Sequence, residues 1–160
     1  MDERTFRNAM GSFATGVTVI TTEANNHTFG MTANAFMSVS LNPKLVVISI
    51  GQHANILEKI KESNKYAVNI LSENQQDLSK HFAGQEDIGR EIFFDKLNGV
   101  PVIRGAMAQI SCEVISVHLE GDHTLFIGKV VGIHVEDHRP LIFYKGKYRG
   151  LEPITDSVNQ

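Results

Sequence analysis

Seven histidines and one cysteine, Cys112, are the side chains of this 160-residue sequence from which metal, nucleophilic or acid–base chemistry could be built. A single thiol makes neither an internal disulfide nor a cysteine-built metal cage. Cys112 falls in the alternating run Ala108, Ile110, Cys112, Val114, so it reads as a buried, inert thiol on the apolar face of a strand. His118 and His123 flank a turn, while His134 and His138 straddle a strand end with no third ligand close in sequence. Together with His27, all but His123 read as turn or surface side chains rather than metal ligands. No G-x-G-x-x-G, P-loop, H-E-x-x-H or G-x-S-x-G motif is present.

Two other segments offer chemistry through main chain and small polar groups. Gly30 to Ser40 (Gly-Met-Thr-Ala-Asn-Ala-Phe-Met-Ser-Val-Ser) neither alternates nor shows a helical face. It reads either as an irregular strand and loop, or as a stretch where small residues admit a ligand and present N–H, hydroxyl and carboxamide groups to its polar edge. Ser49-Ile50-Gly51-Gln52-His53-Ala54 is a glycine-bearing turn entering a helix, whose free N–H groups and dipole suit a phosphate.

These segments need elements to hold them. Phe6, Met10 and Phe13 recur at i, i+4 and i+7, which predicts a helix over Arg4 to Phe13 ending near Gly16. Val17 to Thr22 is β-branched, and Asn25-Asn26 turns it into a second strand near Thr28 to Thr32. After Asn42-Pro43 comes a continuous apolar strand, Leu45 to Ile50, and then a helix from Ala54 to about Ser63 with Ile56, Leu57 and Ile60 inward. A strand over Tyr66 to Leu71 precedes a short helix, Gln75 to Phe82, that stops at Gly84. Gln85 to Asn98 has no clean period and reads as a connection with one short helix.

From Ala108 strand alternation is plain, and its apolar phase slips to Ile115, Val117 and Leu119, which predicts a bulge. Gly121-Asp122 turns into a partner strand, His123 to Val135, interrupted by Gly128 and Gly132. A last strand covers Leu141 to Tyr144, before a polar tail over 151–160 that is expected to fray. Long bent antiparallel strands with internal glycines favour a barrel over a flat sandwich. The fold class is mainly β with flanking helices, in one domain over 1–150.

Composition narrows the function classes. Hydrophobic residues make up 42% and charged ones 21%, enough for a core, and 160 residues fit one domain comfortably and two only with difficulty, so no separate dinucleotide-binding domain is expected. Lys+Arg 15 against Asp+Glu 18 gives a net charge of −3 without a basic stripe, which argues against nucleic acid or a membrane surface as partner. Met1-Asp2-Glu3-Arg4 is acidic where a signal peptide would be basic, so the expected location is cytoplasmic.

Several separated strings, in order, carry a resemblance: Gly16 to Thr22, Gly30 to Phe36, Asn69-Ile70-Leu71, Phe82 to Gln85, Gly121 to Thr124 with Gly128, and Gly146-Lys147-Tyr148. Up to about Gly150 the sequence resembles the short-chain flavin reductases, which are reductase components of two-component, diffusible-flavin monooxygenases such as phenol hydroxylase and hydroxyphenylacetate hydroxylase. The resemblance implies a flavin-binding split β-barrel, antiparallel and of Greek-key type, in a homodimer. It implies flavin contacts at Thr32, Ala33, Asn34 and Ala35, at Ser38, Val39 and Ser40, at Ser49, Ile50, Gly51 and Ala54, and at Phe82, Ala83 and Gly84. The nicotinamide side would involve His123, Tyr144, Gly146, Lys147 and Tyr148.

The implied activity is hydride transfer from NADH to FAD, with NADPH and FMN as alternatives, and release of reduced flavin to a separate monooxygenase. Hydride passes between stacked rings, so the protein need supply only position and polarity, without metal or nucleophile. N–H groups between Thr32 and Ala35 would favour the anionic reduced ring, while Ser40, Ser49 and the helix start at Ala54 would hold phosphate. His123 is the expected catalytic residue, able to change charge near neutral pH; a turn-capping role is its structural alternative. The competing function is a non-enzymatic flavin-binding or electron-carrying module on the same barrel.

Overall fold

A computed structural model describes residues 1–155. Helix α1 (Glu3–Gly11) is capped by Asp2, whose carboxylate accepts from the Thr5 N–H at 2.7 Å. It is shorter than predicted, ending before Phe13, and its apolar face is open: Phe6, Met10 and, beyond the helix end, Phe13 are 55%, 57% and 78% exposed. The short β1 (Thr15–Gly16) follows, then β2 (Thr18–Ala24), buried on both faces except at Glu23. Asn25 and Asn26, both at positive φ, turn it back into β3 (His27–Ala33).

The chain continues through β4 (Phe36–Leu41), β5 (Lys44–Gly51), α2 (Ile56–Ser63) and β6 (Lys65–Ile70). A 3-10 turn (Glu73–Gln75) and α3 (Gln76–Phe82) lead to the hairpin β7 (Phe94–Leu97) and β8 (Val100–Ile103). The long pair β9 (Ala108–Glu120) and β10 (His123–Val135) precedes a closing hairpin, β11 (Ile142–Tyr144) and β12 (Lys147–Arg149).

Seven strands form one antiparallel sheet in the order β3-β2-β6-β9-β10-β5-β4. Its two edge strands are consecutive in sequence, joined by Asn34 and Ala35 alone. Laid flat, six strand spacings would part those edges by roughly 29 Å. Three peptide units from Ala33 to Phe36 span at most about 11 Å. The sheet therefore curls until its edges meet at one corner, and because β3 and β4 do not pair, the barrel stays split there.

Ile20, Val46, Ile48, Ile50, Tyr66, Val68, Cys112 and Phe126 fill the interior, and Ile56, Leu57 and Ile60 of α2 pack against them. A second cluster, Val17, Val19, Leu71, Leu78, Ile103 and Leu141, holds α3 and the closing hairpin. The phase slip expected in β9 is a bulge at Ile115: Ser116 pairs with Ile127 and Val114 with Gly128, leaving Ile115 unmatched. Gly128 is required by packing, since a Cβ there would lie 2.8 Å from both Cys112 Cβ and the Tyr66 ring.

Two further expectations are corrected. Gly30 to Ser40 is not irregular: it holds the end of β3, the corner and β4, with a bulge at Val39 between Ser38 and Ser40. Gln85 to Asn98 contains no helix and ends in β7. The Asn98-Gly99 pair, at φ 51° and 77°, is the two-residue turn of the β7–β8 hairpin. Of the tail, 151–155 is exposed and forms no helix or strand, while 156–160 lie outside the described residues.

Candidate active site

The barrel corner displays main chain. Asn34 and Ala35 belong to no ladder, so no neighbouring strand takes their N–H groups. The corner is fixed from both sides: the Phe36 N–H donates to the Asn34 carbonyl at 2.9 Å, and the Ser49 N–H to the Ala35 carbonyl at 3.1 Å. Asn34 and Ala35 are exposed, whereas Ala33 turns its methyl into the core.

Helix α3 lies along β3 in a two-point register. Thr32 Oγ1 donates to the Ser79 carbonyl at 2.6 Å, and one helical turn on, the Phe82 ring covers Gly30, where a Cβ would come within 2.6 Å of it. Ser79 Oγ in turn shares a 2.7 Å hydrogen bond with Tyr148 Oη of β12. Ala83 and Gly84 end the helix, Gly84 at φ 73°.

The ends of β5 and β10 lie next to the corner, since Ser49, bonded to Ala35, pairs with Leu125, and Gly51 pairs with His123. His123 Nδ1 bonds Asp122 Oδ1 at 2.8 Å, with the His123 side chain 48% exposed. Its Nε2 faces Gly51, 3.8 Å from where a side chain there would begin. The Asp122 carboxyl is held below the usual carboxylate range by the hydrogen bond from His123 and by that ring's charge, with a smaller effect from His53. The turn is anchored to β5 by the Gln52 N–H, which donates to the Asp122 carbonyl at 2.9 Å, and by the Gln52 amide on Thr124 Oγ1. Beyond Gly51, the Ala54 N–H closes on the Gly51 carbonyl at 3.0 Å and the Leu57 N–H on the Ala54 carbonyl at 3.1 Å, while Asn55 enters α2 without a side-chain cap.

Not all the expected residues converge. Ile50 is fully buried and offers main chain only. Ser40 pairs with Leu45, four residues along β5 from Ser49, so roughly 13 Å of strand separates the two hydroxyl positions. Ser38, Val39 and Ser40 line the β4 edge, leading away from His123. Of the closing hairpin, only Tyr148 reaches the Thr32 side. The Lys145 N–H donates to the Gly11 carbonyl at 2.9 Å, and with Gly146 this turn walls a cleft of about 460 Å³ against Arg7, Asn8 and Ser12 of the α1 segment. Tyr144 pairs with Lys147 at the hairpin tip, beneath the Lys145 ammonium.

The remaining reactive side chains stand apart from this arc. Cys112 is fully buried, and desolvation pushes its thiol up to about 12. His118 bonds Ser116, while His134 and His138 both reach the carboxylate of Glu136, at 3.1 and 2.8 Å. Glu136 is thus the near neighbour in sequence that the histidine reading overlooked; even so, no three such side chains among the described residues converge as metal ligands.

Residues 10–152 match the flavin reductase like domain. The chain belongs to the flavin reductase-like family. Within it, an NADH-dependent flavin reductase of Rhodococcus sp is 44% identical over 149 residues, 91% of this chain and 85% of the relative. The reductase component of 4-hydroxyphenylacetate 3-monooxygenase from Thermus thermophilus is 33% identical over 147 residues, 91% and 95% of the two chains. The solved structure of the flavin reductase PheA2 in its native state superposes with a TM-score of 0.93 at 60% identity, covering 96% of this chain and all of that one. The split barrel expected from sequence is therefore the fold of this flavin reductase-like chain. Sequence reasoning missed Ser79; a hydroxyl beside Leu78 on the buried side of an amphipathic helix was the available signal.

Proposed function

We propose that this chain is an NADH-dependent flavin reductase that passes hydride to FAD and releases reduced flavin to a separate monooxygenase component. The observation that carries the reading is the barrel corner, where unladdered Asn34 and Ala35 main chain stands beside the Gly51–His123 end of the sheet. The donor set fits a flavin: open N–H groups for the polar ring edge, an uncapped helix start for phosphate, and an aromatic ring at Phe82. The names of the relatives, reductases of flavin, FAD or FMN and subunits of monooxygenases, support the same activity.

When bound, flavin supplies a two-electron acceptor and the reduced nicotinamide supplies the hydride. The chain's own groups position and polarise. Thr32 to Ala35 would donate N–H bonds to the ring edge that gains negative charge, where preorganised dipoles act without reorganisation. Ser49, Gly51 and the α2 start at Ala54 would hold phosphate, with Ser38 to Ser40 meeting a more distant part of the cofactor along the β4 edge. Phe82, Ala83 and Gly84 would close the opposite wall. His123, with Nδ1 committed to Asp122, presents Nε2 toward Gly51 and would orient the nicotinamide there, while Tyr148, alone of the closing-hairpin residues, would flank its far side.

One cleft serving two cofactors needs a further wall, and the sheet leaves a face for it. Met37, Val47 and Ile127 lie side by side on the outside of β4, β5 and β10, so β5 is apolar on both faces. We assign that face to a second copy in a homodimer acting in the cytoplasm. The deciding experiment mixes the purified protein with FAD and NADH without air and follows the visible flavin absorbance. Rapid bleaching is expected; binding without bleaching, with NADH or NADPH, would point to an electron-carrying module instead.

A further inference from the structure

Ser79 occupies an unusual junction. It is 1% exposed, sits inside a helix, and joins β3 to β12 through its carbonyl and its hydroxyl. Its carbonyl accepts from Thr32 Oγ1 at 2.6 Å while also accepting the Ala83 N–H at 3.1 Å within the helix. Its hydroxyl meets Tyr148 Oη at 2.7 Å. Thr32 starts the stretch that turns the barrel corner, and Tyr148 belongs to the closing hairpin. The Tyr148 ring is itself oriented edge-on to Phe143 at 5.3 Å, so its hydroxyl arrives at Ser79 from a fixed direction. On the other side, the Phe82 ring on Gly30 prevents α3 from sliding along β3.

We infer that Ser79 is a positioning residue, whose hydroxyl and carbonyl set the spacing between the flavin-side corner and the nicotinamide-side hairpin. This rests on the reductase reading above and adds a residue to it. Hydride transfer depends steeply on the separation of two stacked rings, so a junction that fixes both walls acts on rate without touching either ring. A helix held only by apolar contacts could shift by fractions of an ångström; the Thr32–Ser79–Tyr148 chain of bonds removes that freedom.

The test compares Ser79→Ala, Tyr148→Phe and the double variant in stopped-flow flavin reduction without air, with flavin affinity read separately from fluorescence quenching. Each single change removes the same hydrogen bond, and Tyr148→Phe keeps the ring, so it carries the test alone if Ser79→Ala fails to fold. Each single variant should raise the KM for NADH and slow flavin reduction by about tenfold, with the flavin dissociation constant within about twofold of wild type. The double variant should be no slower than the slower single one, because the bond can be lost only once. Multiplying effects in the double variant, unchanged NADH kinetics in both singles, or an equal loss of flavin affinity would each overturn the inference. A wild-type protein that never oxidises NADH would bring down the reductase reading itself, and this inference with it.

Discussion

Gly30 carries no side chain because the Phe82 ring stands where one would be. One of the two readings of Gly30 to Ser40 has its small residues admit a ligand; at Gly30 the structure gives that room to an aromatic ring, so Gly30 acts on the site through Phe82. Gly30→Ala should push the ring off β3 and destabilise the fold by about 1–3 kcal/mol, with weakened flavin affinity, measured by denaturant titration and fluorescence. Unchanged affinity would show that Phe82 does not wall the flavin. His123 is the other decisive residue, because Nδ1 is committed to Asp122 and Nε2 is free to face the Gly51 side. His123→Ala should lower kcat/KM for NADH by at least about tenfold, while flavin binding stays near wild type; an unaltered rate would leave only the turn-capping role. Residue-scale chemistry was legible where side chains act alone, as with the buried Cys112 thiol. It was not legible at Ser79, whose role exists only once β3 and β12 converge on α3.

At the scale of elements, periodicity found what packs on one side. The inward stripe of α2 and the bulge in β9 were both readable, because an apolar phase and its slip are written residue by residue. Several strands escaped, for different reasons. β4 is an edge strand with serines and a bulge, so its alternation is broken. The β7–β8 hairpin was announced by Asn98-Gly99, yet the mixed polarity of β7 and the proline within the short apolar β8 hid the signal. The Lys145-Gly146 pair, again two residues at positive φ, likewise turns β11 into the overlooked β12. The conformational demand can be tested at Gly99, held at φ 77° with no neighbour to crowd a methyl group. Gly99→Ala should cost about 1–2 kcal/mol in urea unfolding from backbone strain alone; a neutral result would mean that the turn relaxes freely.

For the whole molecule, the unpartnered apolar surfaces and the charge pairs make separate predictions. The homodimer proposed above would cover the outer face around Met37, Val47 and Ile127, together with the open stripe of α1. Light scattering should therefore give about twice the 17.7 kDa chain mass, and Val47→Lys should return it to the single-chain value. A fully active wild-type monomer would contradict the assignment. Acid should loosen the fold in a defined window. Asp95 is held below the usual carboxylate range by its hydrogen bond from Arg104, Asp122 by His123, and Glu136 by His138 and His134. A carboxyl with a lower value folded than unfolded contributes stability that is complete above its unfolded value, about 4, and is lost as pH falls through the folded value. The melting temperature should thus decline between about pH 5 and pH 3, modestly because these groups are screened by water; a rise would reverse the assigned sign.

The two-residue link between β3 and β4 has a mechanical meaning for the ring of strands. Hydrogen bonds hold the other six junctions, but at this one the limit is a covalent tether. Thermal breathing can loosen ladders gradually, whereas the corner stops at its full stretch. The gauge of the opening is thereby set by chain length. One inserted residue between Asn34 and Ala35 would lengthen the tether by up to about 3.6 Å, a change in aperture that no side-chain substitution elsewhere in the barrel would reproduce.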